Sequence, residues 1–182
     1  MQQIRQKRYA IYGQKEGFKY VKYQDGKTVW LKDGLASSVI DEKIIDAHGN
    51  VSYRNTYNMR YNQKRLVTDY EAEITDYKGR KTYTNWSDAE YTDDSVFYAD
   101  EDTNAAKKLT RFKEIVIDHQ DNITSKVRSD IEYNQNNLMT AYNETVIDKF
   151  GNTEKRVWSG GIYNGDKQLI GCLLYTSPSP RD

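Results

Sequence analysis

Two histidines stand beside aspartates, His48 near Asp46 and His119 next to Asp118, and an imidazole close to a carboxylate suggests metal binding first. A zinc centre wants three or four converging ligands, usually His or Cys. These two histidines sit at different positions of corresponding turn-like segments, which reads as exposed loop residues rather than as a ligand set. The run Asp100-Glu101-Asp102-Thr103-Asn104 opens like a calcium loop. Ala105 stands where that loop needs glycine and Arg111 where it needs a bidentate glutamate, so a solvated acidic bulge is the expectation. With 27 Asp and Glu in the chain, some carboxylate pair will always have hydrolase-like spacing, and the signal carries no weight. No Ser-His-Asp arrangement, glycine-rich phosphate loop or nucleophilic cysteine stands out. Neither catalysis nor a cofactor nor a metal is therefore expected. Trp86 and Trp158 remain, since flat aromatic rings stack on sugar faces. The competing role is cross-strand packing, which strands favour in any case.

Across the whole chain Lys plus Arg equals Asp plus Glu, 27 against 27. Phosphate neutralisation needs a basic surplus or stripe, so no nucleic-acid partner is expected. No apolar run approaches the roughly 20 residues of a membrane-spanning helix, and no membrane insertion is expected. Hydrophobic residues make up 37% while tyrosine occurs 16 times, which suits a thin core of ring bodies with the hydroxyls left wet.

The chain repeats. A shift of 72 residues aligns Asp46–Asp94 with Asp118–Asp166 without a gap, and 14 of 49 positions are identical. Among the identities are Asp46/Asp118, Tyr61-Asn62 with Tyr133-Asn134, Leu66/Leu138, Tyr70/Tyr142, Asp76/Asp148, Gly79/Gly151, Trp86/Trp158 and Tyr91/Tyr163. A finer period of thirty separates Asp46 from Asp76, Tyr61 from Tyr91, Asp118 from Asp148 and Tyr133 from Tyr163. A position needed in every unit is more often architectural than ligand-binding, so these residues are assigned to structure.

Between the turn signals apolar residues alternate with period two, which predicts strands rather than helices. Val51, Tyr53, Tyr57, Met59 and Tyr61 are expected on a core face, as are Ile123, Val127, Ile131 and Tyr133 in the second copy. Leu66, Thr68, Tyr70, Ala72 and Ile74, with Leu138, Thr140, Tyr142, Glu144 and Val146, form the next strand's inward set. Asp76…Gly79 and Asp148…Gly151 read as capped turns ending at a residue that tolerates positive φ. Tyr-Asn-Gln turns, with Asn carrying the bend, close the opposite ends of the hairpins. The expectation is an all-β antiparallel meander of long hairpins in tandem repeats, about 30-residue subunits in a 72-residue unit, elongated or shell-like. Residues 1–22 form a lead-in, 23–90 the first unit, 91–162 the second with an insertion at 95–113, and 163–171 the start of a third. Within the insertion, Asn104 to Glu114 is expected to be a short helix or a decorated loop.

From Cys172 to Asp182 the composition changes, and both prolines and the single cysteine lie there. The string resembles a translated sequencing adapter, so 172–182 is read as a non-native tail with native sequence continuing past about residue 171.

The residues Tyr61-Asn62…Leu66, Tyr133-Asn134…Leu138, Asp76…Gly79 and Asp148…Gly151 together resemble the rearrangement-hotspot (RHS) or YD-repeat proteins, over roughly residues 23–170. Family repeats read Tyr-Asp-x-x-Gly-Arg-Leu; here Asn replaces Asp and the Gly-Arg is displaced or missing. The resemblance implies a large bacterial secreted or surface protein whose repeats spiral into a β-sheet shell or stalk, with any toxic or enzymatic activity in a separate C-terminal domain. The expected partners are neighbouring repeats of the same chain. A surface adhesin that uses exposed Tyr and Trp to bind glycans or another cell surface is the rival expectation.

Overall fold

The computed structural model describes residues 10–15, 18–92 and 108–178. Within them the chain is an all-β antiparallel meander. The strands are β1 Ala10–Lys15, β2 Phe18–Tyr23, β3 Thr28–Lys32, β4 Leu35–Ile45, β5 Val51–Tyr61, β6 Val67–Thr75, β7 Lys81–Tyr91, β8 Leu109–Ile117, β9 Ile123–Tyr133, β10 Met139–Ile147, β11 Thr153–Tyr163 and β12 Leu169–Pro178. Sheet order follows chain order from β1 to β12, and among the described residues the strand contacts join chain neighbours. Contacts divide the chain into a first unit, residues 1–85 with 118–120, and a second, residues 86–117 with 121–182.

The turns explain the period. In the recurring turns the N–H of the first residue donates to the carbonyl four residues on, and the fourth residue's N–H donates back to the first carbonyl, as in Asp46/Asn50, Asn62/Leu66, Asp76/Arg80, Asn134/Leu138, Asp148/Asn152 and Asn164/Gln168. The first side chain then accepts two further backbone N–H bonds. Asp46 accepts from His48 at 2.8 Å and Asn50 at 2.9 Å; Asn62 accepts from Lys64 and Leu66, each at 3.0 Å. Asx side chains favour this local pairing, which is why Asp and Asn recur at these sites. The left-handed residue is the fourth: Gly49, Gly79, Asp121 and Gly151 in the Asp turns, but Arg65, Asn137 and Lys167 in the Asn turns. Asn62 and Asn134, expected to carry the bend, cap it instead, and the positive φ falls on Arg65 and Asn137. From β5 to β11 strand lengths alternate between 11 and 9 residues.

A second recurring device changes the faces. Asn58, Asp88, Asp130 and Gly160 hold φ between 53° and 66° inside the long strands β5, β7, β9 and β11. Register shifts accompany the bulges in β5, β9 and β11. A β-bulge adds a residue and reverses the alternation beyond it. On β5 the inward residues are thus Arg54 and Thr56 before the bulge, Met59 and Tyr61 after it. Tyr53 is 48% exposed and Tyr57 38%, while Thr56 is 8% exposed. The expected core positions of Tyr53 and Tyr57 are overturned, because period-two counting ran through the bulge. Ile123, 52% exposed, is overturned likewise, whereas Ile131 beyond the second bulge is buried.

Asn104 to Glu114 is not helical where it is described. Leu109–Ile117 is strand β8, paired with β9 from Phe112↔Arg128 to Ile117↔Ile123. Alternating Leu109, Arg111, Lys113 with Phe112, Glu114 and Val116 satisfies a two-sided strand once a neighbour is in place, and neighbours outweigh local propensity. The acidic run Asp100–Asn104 and most of the expected insertion lie outside the described residues. At the other end, Cys172–Pro178 continues β12 against β11, with Ser159↔Leu173, Trp158↔Leu174 and Glu154↔Pro178 in register. An open strand edge presents backbone donors and acceptors that any extended segment can meet, whatever its side chains. Leu173 at 74% and Tyr175 at 68% exposure show how little packing that pairing involves.

Candidate functional site

The repeat positions are spread one or two to a strand and do architectural work. Tyr61, Tyr133 and Tyr163 each end a long strand and donate their hydroxyl to a backbone carbonyl of the preceding strand: Ala36 at 2.7 Å, Leu109 at 3.0 Å and Met139 at 2.5 Å. The hydroxyls are thus bonded to backbone rather than left wet. Burial raises the Tyr61 hydroxyl above its ordinary pKa, and burial does the same at Tyr133 against the opposing charge of Arg128. Trp86 and Trp158 are buried, at 9% and 7% exposure. Trp158 stacks on Tyr142 at 5.3 Å, and Trp86 meets Phe112 at 5.9 Å. Neither indole presents a face to a sugar. Leu66, Leu138, Tyr70 and Tyr91 are half-buried, Asp118 caps its turn through Gln120, and Gly79 and Gly151 supply positive φ. Among the described residues no three His, Cys, Asp or Glu side chains gather as metal ligands would, and no helix is long and apolar enough to cross a membrane.

One charged cluster is built in the second unit. Phe112, Arg128, Glu144 and Arg156 stand opposite one another across β8, β9, β10 and β11. The Glu144 side chain is 4% exposed and accepts from Arg128 Nη2 at 2.7 Å and Arg156 Nη1 at 3.3 Å. The Arg128 guanidinium lies 4.0 Å from the Tyr142 ring centre. Both arginine forks are consumed by Glu144 and, for Arg156, by Glu154 at 2.8 Å, which chiefly holds the Arg156 pKa well above its ordinary value. Both carboxylate oxygens of Glu144 are thus taken up by arginines. In the first copy the equivalent pair is Thr56 opposite Ala72, neutral and buried. A sequence reading placed Glu144 on the inward face but had no signal for its arginine partners, because cross-strand register is set only by the folded turns.

A concave surface lies elsewhere, in the first unit. β2 and β3 are short, and Asp33-Gly34, both at positive φ (51° and 76°), join β3 to β4 in a two-residue hairpin with Lys32 opposite Leu35. Asp-Gly is the strongest short hairpin signal a sequence carries, and it was available to the sequence reading, which passed over it. Here the long-strand repeat is interrupted. Tyr20 pairs with Trp30, Trp30 with Ser38, and Val39 with Thr56, and Tyr57 lines the same groove as Ser38. A serine between two aromatic rings leaves a notch. The resulting groove, about 660 Å³, is lined by Phe18, Trp30 and Tyr57 with Lys32, Ser38 and Arg60 among its polar residues. Its apolar walls and few convergent polar groups are the usual make-up of a ligand cleft.

No protein-family model, curated protein or solved structure matches the chain.

Proposed function

We propose that this chain is a non-catalytic structural repeat segment of a larger, secreted or cell-surface bacterial protein, a scaffold of the RHS/YD-repeat kind. The observation that carries the reading is the recurrence of one hydrogen-bonded device. The same turn, the same capping Asp or Asn and the same strand-end tyrosine bond return along the chain. Residues shared between copies are spent on backbone carbonyls, turn N–H groups and ring packing. Repeat units of this type draw stability from nearest neighbours, and among the described residues strand contacts join chain neighbours. The adhesin alternative keeps no support from Trp86 and Trp158, which are buried.

A modular scaffold should survive loss of one subunit. Deleting residues 118–147 joins β8 to the turn at Asp148 and offers β8 the strand β11 in place of β9. The shortened chain is expected to keep its per-residue β-sheet circular dichroism and a cooperative urea transition. Collapse to a coil spectrum would overturn the proposal.

A further inference from the structure

We infer that a side-chain strap, one amide bonded to one carboxylate, locks the bulges of β5 and β9 and so fixes which residues those strands display. On β5, Tyr57 stands opposite Glu71 and Arg60 opposite Asp69, which leaves two residues, Asn58 and Met59, against one, Tyr70. On β9, Ser129 stands opposite Asn143 and Glu132 opposite Ala141, which leaves Asp130 and Ile131 against Tyr142. The first residue of each extra pair, Asn58 or Asp130, holds φ at 53°. A Cβ crowds the backbone there, and Asn or Asp tolerates the crowding when its short polar side chain finds a bond nearby. Both do, on the following strand. Asn58 Nδ2 donates to Glu71 Oε2 at 2.9 Å, and Asn143 Nδ2 donates to Asp130 Oδ2 at 2.8 Å.

The strap runs in opposite directions in the two copies. The 72-residue shift sets Asn58 on Asp130 and Glu71 on Asn143, so amide and carboxylate change strands while the bond between them stays. Changing one partner alone would leave two carboxylates or two amides facing each other; both positions differ, and each copy keeps one of each. Gly160 holds the bulge of β11 at φ 66° with no side chain to bond, as a residue without a Cβ needs no such help. Asp88 takes the place in β7, where the residue thirteen positions on lies outside the described residues. What the strap holds is the facing of the strand. A one-residue slip that erased the β5 bulge would turn Met59 and Tyr61 to the opposite face and break the Tyr61 bond to the Ala36 carbonyl.

The test uses the full chain and reads amide hydrogen exchange in peptides covering residues 54–62, with circular dichroism to verify folding. Asn58→Asp sets two carboxylates against each other across the strap. Exchange is expected to quicken by roughly two- to fivefold, the range of one cross-strand pair, and less as salt rises. Adding Glu71→Asn to that variant installs the second copy's polarity and should return exchange to the parent rate. Asn58→Gly, which copies Gly160, should hold the bulge unaided. Glu71→Ala should therefore quicken exchange in the parent and leave it unchanged in the Asn58→Gly background. The inference is overturned by an Asn58→Asp variant that exchanges no faster than the parent at low salt, or by a double variant no better than Asn58→Asp alone. An equal effect of Glu71→Ala in both backgrounds overturns it as well. None of these outcomes touches the scaffold reading, which the deletion experiment tests through folding alone.

Discussion

Glu144→Ala should be among the more damaging single changes in the second unit, and the repeat supplies its own rescue. The carboxylate is 4% exposed and satisfies Arg128 through Nε at 3.1 Å and Nη2 at 2.7 Å, and Arg156 through Nη1 at 3.3 Å. Arg156 retains Glu154, so the loss falls on Arg128, whose side chain is 23% exposed. Breaking a fully buried pair costs about 3–5 kcal/mol. Water reaches part of Arg128, which brings the expected loss to about 2–3 kcal/mol. Arg128→Thr should cost a similar amount, since it strips Glu144 of its closer partner. The double variant Arg128→Thr/Glu144→Ala rebuilds the first copy's Thr56 opposite Ala72, a pair already buried in this fold. It should return to within about 1 kcal/mol of the parent, because a neutral packed pair can replace a buried ion pair with little loss. Urea unfolding followed by far-ultraviolet circular dichroism, at constant m-value, yields the four free energies of the cycle. A double variant as unstable as the two single losses combined would refute the reasoning, since it would mean that the ions do not act as a pair.

Two pH predictions follow from the turns and the strand ends. Asp46 and Asp76 lie below the ordinary carboxylate value, Asp46 chiefly through the Asn50 side chain and Asp76 chiefly through Arg80. Their contribution is complete above about pH 4 and declines as pH falls through the lowered folded values. Asp46→Asn, which copies the cap at Asn62, should keep the fold and flatten the acid limb of a stability-against-pH curve. An acid limb identical to the parent's would count against the assignment. The Tyr61 and Tyr133 hydroxyls are shifted upward, so their stabilisation is present below about pH 10 and is lost as pH rises towards the raised folded values. Tyr133→Phe should cost about 1 kcal/mol at neutral pH through the lost bond to the Leu109 carbonyl and make the alkaline limb shallower. Unchanged stability at neutral pH would show that bond to be idle.

The sequence by itself determined the class of the fold, its period and the position of its turns. Turn chemistry is local: an Asp or Asn, its two N–H donors and a left-handed residue all lie within five positions, so Asp76…Gly79 and Tyr61-Asn62…Leu66 could be read without knowing what lay beside them. Alternation located the strands for the same reason. Facing was decided only by the folded sheet. A bulge at Asn58 or Asp130 inserts one residue and exchanges inside for outside beyond it, and nothing in a period-two count marks the exchange. Tertiary structure also turned Leu109–Glu114, within the expected helix or loop, into the start of β8, because a strand beside it supplied the hydrogen bonds that local propensity could not. The ion row at Glu144 and the notch at Ser38 both depend on which residues come opposite one another across neighbouring strands. That pairing is a property of register, and register exists only once the turns have closed.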